Sequence, residues 1–244
     1  MVDLTPGYRE LAPPPELRDV VACLWVRVHG TGDDVRVVPD ACSDVVWQQG
    51  TGTTVVGPDT GAKLVAGVPG DILIGLRFRP GAGGGALGVP LDALRDQRVE
   101  AAEVDRAFDI AGDLAPADVI GRFLEAVAGR RRDELVAEAA RRLSSRDVQT
   151  VASELSISDR QLRRRFHTAV GYGPKTLERV LRFRRFVDAI DDGCADLAAL
   201  AFDVGYADQA HLTREATRLS GLPPAALIHA RTSFRSRPDG AQRR

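Results

Sequence analysis

Hydrophobic positions recur with two different periods along the chain, and the change falls near residue 113. Before it, valine-rich runs are short and separated by turn pairs (Gly-Asp, Pro-Asp, Gly-Pro, Pro-Gly). The runs Val20–Val28, Val35–Val38, Val45–Gln48, Thr53–Val56, Lys63–Ala66 and Asp71–Phe78 predict strands at the spacing of a small barrel or sandwich. In the last run Ile72, Ile74, Leu76 and Phe78 alternate with Leu73, Gly75, Arg77 and Arg79, which predicts one buried face. Pro80 to Gly88 reads as a glycine-rich loop, and a helical turn follows from Pro90 to Arg95.

From Asp113 the period becomes helical. Asp113 is the expected cap of a helix with Pro116 in its first turn and an apolar stripe of Val119, Ile120, Phe123, Leu124 and Val127. Gly129 stops it. Leu135, Val136, Ala139, Ala140 and Leu143 form the next stripe, and only helical patterns follow. The expected class is α+β, with a β-rich domain over 1–112, a linker or dimerisation helix over 113–132, a helical domain over 133–232 and a basic tail over 233–244.

Charge divides at nearly the same place. Over the 244 residues the net charge is −1, yet residues 144–244 hold 17 basic and 12 acidic side chains, and residues 1–143 hold 16 and 22. The back half is therefore the part suited to a polyanion. No apolar run approaches the length of a membrane span, and the first ten residues do not form a secretory signal. Three scattered cysteines and four scattered histidines offer no disulfide framework and no metal-ligand spacing, so no cofactor is expected and the expected compartment is cytoplasmic.

Two helix–turn–helix patterns occupy the back half. In the first, Asp147 caps a short helix with Val148, Val151, Ala152 and Leu155 inward, and a turn runs through Ser156 and Ile157. Ser158 with Gln161 then makes a capping box for a second helix that buries Leu162 and Phe166. Arg160, Arg163, Arg164 and His167 share the opposite face at i, i+3, i+4 and i+7. In the second, Asp196 starts one helix, Gly205 and Tyr206 turn the chain, and Asp208 caps the next. Leu212 faces inward, and Gln209, Ala210, Thr213 and Arg214 face outward. Arginine suits guanine, glutamine suits adenine, and threonine suits the thymine methyl. Residues Pro174 to Ile190 form a helix that spaces the two units so that they meet successive major grooves about 34 Å apart. The bland alternative is a solvated basic face on an ordinary helical domain.

The back half, about residues 133–232, resembles the DNA-binding domain of AraC/XylS-type transcription regulators. The landmarks are Ala152, Ser158 to Phe166, Gly171, Pro174, Arg182, Ala201, Gly205, Tyr206, Asp208, Gln209, Leu212, Gly221 and Pro224. The resemblance implies a seven-helix module reading two adjacent grooves of double-stranded DNA; RNA polymerase and a second copy of the chain are further expected partners. Ala216 and Ser220 replace the family's bulky aromatics, which leads to an expectation of looser packing in the second unit.

Phrases around Pro39, Asp40, Cys42, Asp44 and Trp47, around Gly57 to Thr60, and around Gly75 to Gly81 look like a cupin-like β domain attached to such regulators. Trp47, Asp44 and Arg77 are its candidate effector-binding residues; the alternatives are a core tryptophan, a turn or strand-end cap, and an outward barrel face. Cys42 is considered as a redox sensor, without a neighbour in sequence to activate it. No nucleophile phrase, zinc-protease motif or phosphate loop is present, so the chain is not expected to be an enzyme. The expected function is a DNA-binding transcription regulator controlled by its front domain through a small-molecule effector or dimerisation. An enzyme or protein-interaction module in the β domain, with DNA binding as targeting, is the alternative.

Overall fold

The computed structural model describes residues 2–32, 34–194 and 196–235, so the expected tail lies outside the described residues from 236 onward. Valine-rich runs become strands. These are β1 (Gly7–Leu11), β2 (Val21–Val28), β3 (Val35–Val37), β4 (Ser43–Gln48), β5 (Gly52–Val56), β6 (Lys63–Val65), β7 (Ile72–Phe78) and β8 (Arg98–Glu100). β1 and β8 fall outside the valine runs; both are short edge strands whose pattern is largely polar.

Six strands form one antiparallel sheet in the order β1-β2-β7-β4-β5-β8, and β3 pairs with β6 as a separate ribbon. The register aligns Leu24, Leu76, Val45 and Val55 across four strands, so one face of the sheet is a continuous apolar row. Helices α1 (Gly83–Leu87), α2 (Ala101–Val104) and α3 (Pro116–Val127) follow. Val119, Phe123 and Val127 of α3 are fully buried in the front core with Phe78 and Phe108. The apolar stripe of residues 113–132 is thus used within its own chain. Its expected cap is corrected: Ala115 stands at the N-cap without a side-chain bond, and Pro116 presets the first turn.

The back half forms α4 (Glu134–Arg142), α5 (Val148–Glu154), α6 (Asp159–Val170), α7 (Pro174–Asp191), α8 (Leu197–Asp203), α9 (Gln209–Ser220) and α10 (Pro224–Arg235). α7 runs through the middle, burying Leu177, Val180, Phe183 and Phe186, and packs against α5, α6, α8, α9 and α10. Among the described residues no helix is long and apolar enough to cross a membrane.

The glycine-rich run 81–85, expected as a loop, enters α1 and forms the seam between the two domains. A Cβ on Gly84 would stand 2.3 Å from the Thr168 carbonyl oxygen in α6, and one on Gly85 would stand 2.3 Å from the Arg131 carbonyl oxygen. Only glycine permits this backbone-to-backbone approach. Two front-domain arginines add polar contacts to the ends of the helices. Arg95 Nη1 donates to the Gly171 carbonyl after α6 at 3.5 Å, and Arg36 Nη1 donates to the Ser220 carbonyl at the end of α9 at 2.9 Å. Cations placed there complement the negative ends of both helices.

Candidate nucleic-acid interface

The two helix–turn–helix units are built alike. In the first turn the Ile157 N–H donates to the Ala152 carbonyl at 3.1 Å; in the second the Tyr206 N–H donates to the Ala201 carbonyl at 2.8 Å. The positive-φ position is Ser156 (φ 52°) in one and Gly205 (φ 90°) in the other. α6 starts on the capping box expected from sequence: Gln161 N–H donates to Ser158 Oγ and Ser158 N–H donates to Gln161 Oε1, each at 3.4 Å. α9 starts on Asp208, which accepts from the His211 N–H at 2.6 Å. Leu162, Phe166, Leu212 and Ala216 are fully buried and fix the rotation of both helices about their axes.

That rotation leaves Arg160, Arg163 and Arg164 exposed, and no hydrogen bond or ion pair holds them among the described residues. Several other arginines of the domain differ. Arg165 pairs with Asp133 at 3.1 Å, Arg179 holds Glu215 with two bonds of 2.7 and 2.9 Å, and Arg184 pairs with Asp188 at 3.1 Å. Arg185 donates to the carbonyls of Ser144 and Val204, and Arg182 pairs with Glu178. Burial pushes the Glu215 carboxyl up, but its bonds from Arg179 outweigh this and leave it below its ordinary value. Arg179, Arg182 and Arg185 of α7 are therefore committed within the fold, and among the described residues of the domain the guanidinium groups without a partner are those of Arg160, Arg163 and Arg164 on α6 and of Arg214 and Arg218 on α9.

On α9, Gln209, Ala210 and Arg214 are exposed. Thr213 is half-buried, and its hydroxyl donates back to the Gln209 carbonyl at 2.9 Å. With its proton committed, the hydroxyl can only accept, and the threonine's apolar group is its methyl. His167 stands apart from the arginines of its helix: it is half-exposed, with Nδ1 4.0 Å from Asp92 of the front domain. The expectation of loose packing in the second unit is corrected. Ala216 and Ser220 are fully buried, and Ser220 Oγ donates to the Ala216 carbonyl at 2.7 Å and accepts from the Leu222 N–H at 3.1 Å.

The three front-domain candidates do not converge. Trp47 is fully buried on the core face of the sheet, and its indole N–H donates to the Ala111 carbonyl at 2.8 Å. Asp44 and Arg77 lie on the opposite face and bind each other at 3.0 Å; Asp44 also accepts from Trp25 Nε1 at 3.0 Å, and Arg77 also pairs with Asp40 at 3.3 Å. Burial pushes the Asp44 carboxyl up while Arg77 pulls it down. Burial likewise raises the Cys42 thiol well above its ordinary value, so it is held as the unreactive thiol.

A second set of side chains gathers at the seam. Thr60, Gly61 and Arg95 of the front domain face Tyr172, Thr176, Arg179, Val180, Arg218 and Leu219 of the back domain around a cleft of about 390 Å³. Nothing local marks these residues, because the cleft exists only once the two domains meet.

Residues 151–230 match the family model described as a helix-turn-helix domain, and residues 9–100 match the one described as a domain of unknown function (DUF6597). No curated protein matches the chain. Solved structures similar to it include ToxT from Vibrio cholerae O395, at 8% identity over 84% of this chain and 97% of that one with a TM-score of 0.46. Unsaturated fatty acid bound wild-type ToxT from Vibrio cholerae strain SCE256 is similar at 9% identity over 84% of this chain and 94% of that one, with a TM-score of 0.44.

Proposed function

For a chain that carries an AraC-type helix-turn-helix domain at its C-terminus behind an N-terminal β domain, we infer a transcription regulator that reads two adjacent major-groove segments of double-stranded DNA. The observation that carries this reading is the division of arginines. Those on the outward face of α6, with Arg214 and Arg218 of α9, are exposed and unpartnered among the described residues, while Arg165, Arg179, Arg182, Arg184 and Arg185 are bonded to carboxylates or carbonyls. Arg160, Arg163 and Arg164 read guanine or grip phosphate, Gln209 reads adenine, Thr213 presents its methyl to thymine, and Arg214 completes the second contact. Ala210 is small enough to let α9 approach the groove. His167, turned toward Asp92, serves at the edge of the interface.

The front domain governs this module through the seam. It meets α6 along the glycines of α1, and Arg95 and Arg36 grasp the C-terminal ends of α6 and α9. A change in the front domain is thereby transmitted to the separation of the recognition helices, in a cytoplasmic regulator responding to an effector or to a second copy of the chain. Selection of bound duplexes from a random pool tests the reading. The expected product is a motif with two elements about 10 base pairs apart. Recovery of no enriched sequence, or enrichment unchanged in an Arg163→Ala and Arg164→Ala protein, overturns it.

A further inference from the structure

Three consecutive arginines, Arg130, Arg131 and Arg132, lie on the segment that leaves α3 and enters α4, and the fold uses two of them. Arg130 Nη2 pairs with Asp105 at 2.7 Å, and its Nε donates to the Ala126 carbonyl at 3.2 Å. Arg132 Nη2 lies 3.3 Å from Asp19 and 3.0 Å from Glu134, and its Nη1 donates to the Asp19 carbonyl at 2.6 Å. Between them Arg131 is exposed and makes no hydrogen bond or ion pair among the described residues. Its neighbours fix its place on the surface and leave its own guanidinium free.

Two front-domain arginines join it. Arg18 and Arg79 are both exposed; Arg79 Nε donates to the Arg18 carbonyl, and the Arg18 guanidinium has no partner among the described residues. Arg132 bridges to Asp19, the residue after Arg18, which brings these positions to one rim. Three carboxylates lie among them, and each is already held: Asp133 by Arg165 at 3.1 Å, Asp19 and Glu134 by Arg132. The arginines of the rim outnumber those carboxylates, in a front half whose overall charge is negative.

The rim lies beside the first recognition helix. A Cβ on Gly84 would meet the Thr168 carbonyl of α6, and one on the next residue, Gly85, would meet the Arg131 carbonyl, each at 2.3 Å. One dipeptide of α1 therefore holds the last turn of α6 and Arg131 side by side. Thr168 stands one turn beyond Arg164 on the same side of α6, about 6 Å further along the helix. The major groove is about 12 Å wide, so a helix lying in it has a phosphate strand along either flank. We propose that the front domain and its linker are part of the DNA interface, with Arg131, Arg18 and Arg79 contacting the phosphodiester backbone beside the groove that α6 enters. These contacts add affinity without reading sequence. Because Arg18 and Arg79 belong to the β domain, they make that affinity depend on how the β domain is seated. The inference rests on the regulator reading above for the duplex it engages.

The salt dependence of DNA binding by the full chain tests the rim, on a selected duplex and on one of unrelated sequence. Each neutralised phosphate adds about 0.9 to the slope of log K against log salt. A protein with Arg18→Gln, Arg79→Gln and Arg131→Gln should lose about 2–3 from that slope on both duplexes and select the same motif as the wild type. Arg131→Lys should keep the wild-type slope, since lysine also neutralises a phosphate. Hydroxyl-radical footprints of the triple variant should lose protection on the backbone flanking the first element only. Melting curves check that each variant folds. A wild-type slope and footprint in the folded triple variant overturn the proposal and leave the regulator reading intact, and a changed motif does the same. Binding that weakens in the variant as expected, without any motif selected by the wild type, sinks sequence reading alone. A wild-type chain that binds neither duplex sinks both.

Discussion

The two recognition helices share one scaffold and differ in what they present and in what holds them. α6 offers three unpartnered arginines and begins on a serine capping box; α9 offers glutamine, alanine, threonine and one arginine, and begins on an aspartate. The C-terminal end of α6 is pressed against α1 through Gly84, whereas the end of α9 meets the β domain through Arg36. Charge and domain coupling are thus concentrated on the first unit. The first helix is suited to supply most of the affinity and to feel the front domain most directly, and the second to discriminate through shape and the fewer bonds of Gln209. Identical topology does not imply equal duty; the distribution of carboxylates and glycines around each helix assigns it.

Removing the donors of each helix in turn gives the largest test of this asymmetry. Arg163→Ala with Arg164→Ala should cost about 2–6 kcal/mol of specific binding, taking roughly 1–3 kcal/mol per arginine–guanine contact. Gln209→Ala should cost about 1–3 kcal/mol on the same scale and relax selectivity at one position of the site. Gel-shift titrations on one duplex, with melting curves to confirm that both proteins fold, measure the difference. Equal losses would remove the asymmetry.

The seam comes next. Gly84→Val inserts a branched side chain where even a Cβ meets the Thr168 carbonyl at 2.3 Å. An overpacked site of this kind costs about 1–3 kcal/mol. Both domains retain their own cores, so scanning calorimetry should separate one unfolding transition into two. Arg36→Ala removes a single half-buried hydrogen bond at α9, with an expected loss of about 1 kcal/mol and one transition retained.

Most of the helical scaffold was legible in the sequence, because its signals are local. The caps at Asp147, Ser158, Asp196 and Asp208 all bond the backbone as their spacing implies. The six valine runs became strands within two residues at each end. Long-range geometry was less readable. Trp47 and Asp44 lie an odd number of residues apart on β4, so alternation already puts them on opposite faces; the phrase that contains both suggests a common pocket that the pleat forbids. Arg77 looked available because its carboxylate partners come from the neighbouring β4 register and from Asp40 before it. The run Gly81 to Gly85 announced a backbone constraint without its cause, since the surface it touches is more than forty residues away in sequence. The cleft at Tyr172 needs both domains and leaves no local trace.

The smallest effects test whether the two units really are built alike. Ser158→Ala and Asp208→Ala each delete an N-cap and should each cost about 1 kcal/mol of stability. The turns differ more tellingly. Ser156 occupies the left-handed region that Gly205 occupies in the second unit, and a side chain there costs about 1–2 kcal/mol of strain. Glycine relieves that strain and gives back part of the gain through the greater freedom of the unfolded chain. Ser156→Gly should therefore stabilise the protein by up to about 1 kcal/mol in urea unfolding and leave DNA affinity unchanged. A loss of stability would mean that the serine makes up for its conformation in the first turn, so that the likeness between the turns stops at their hydrogen bonds.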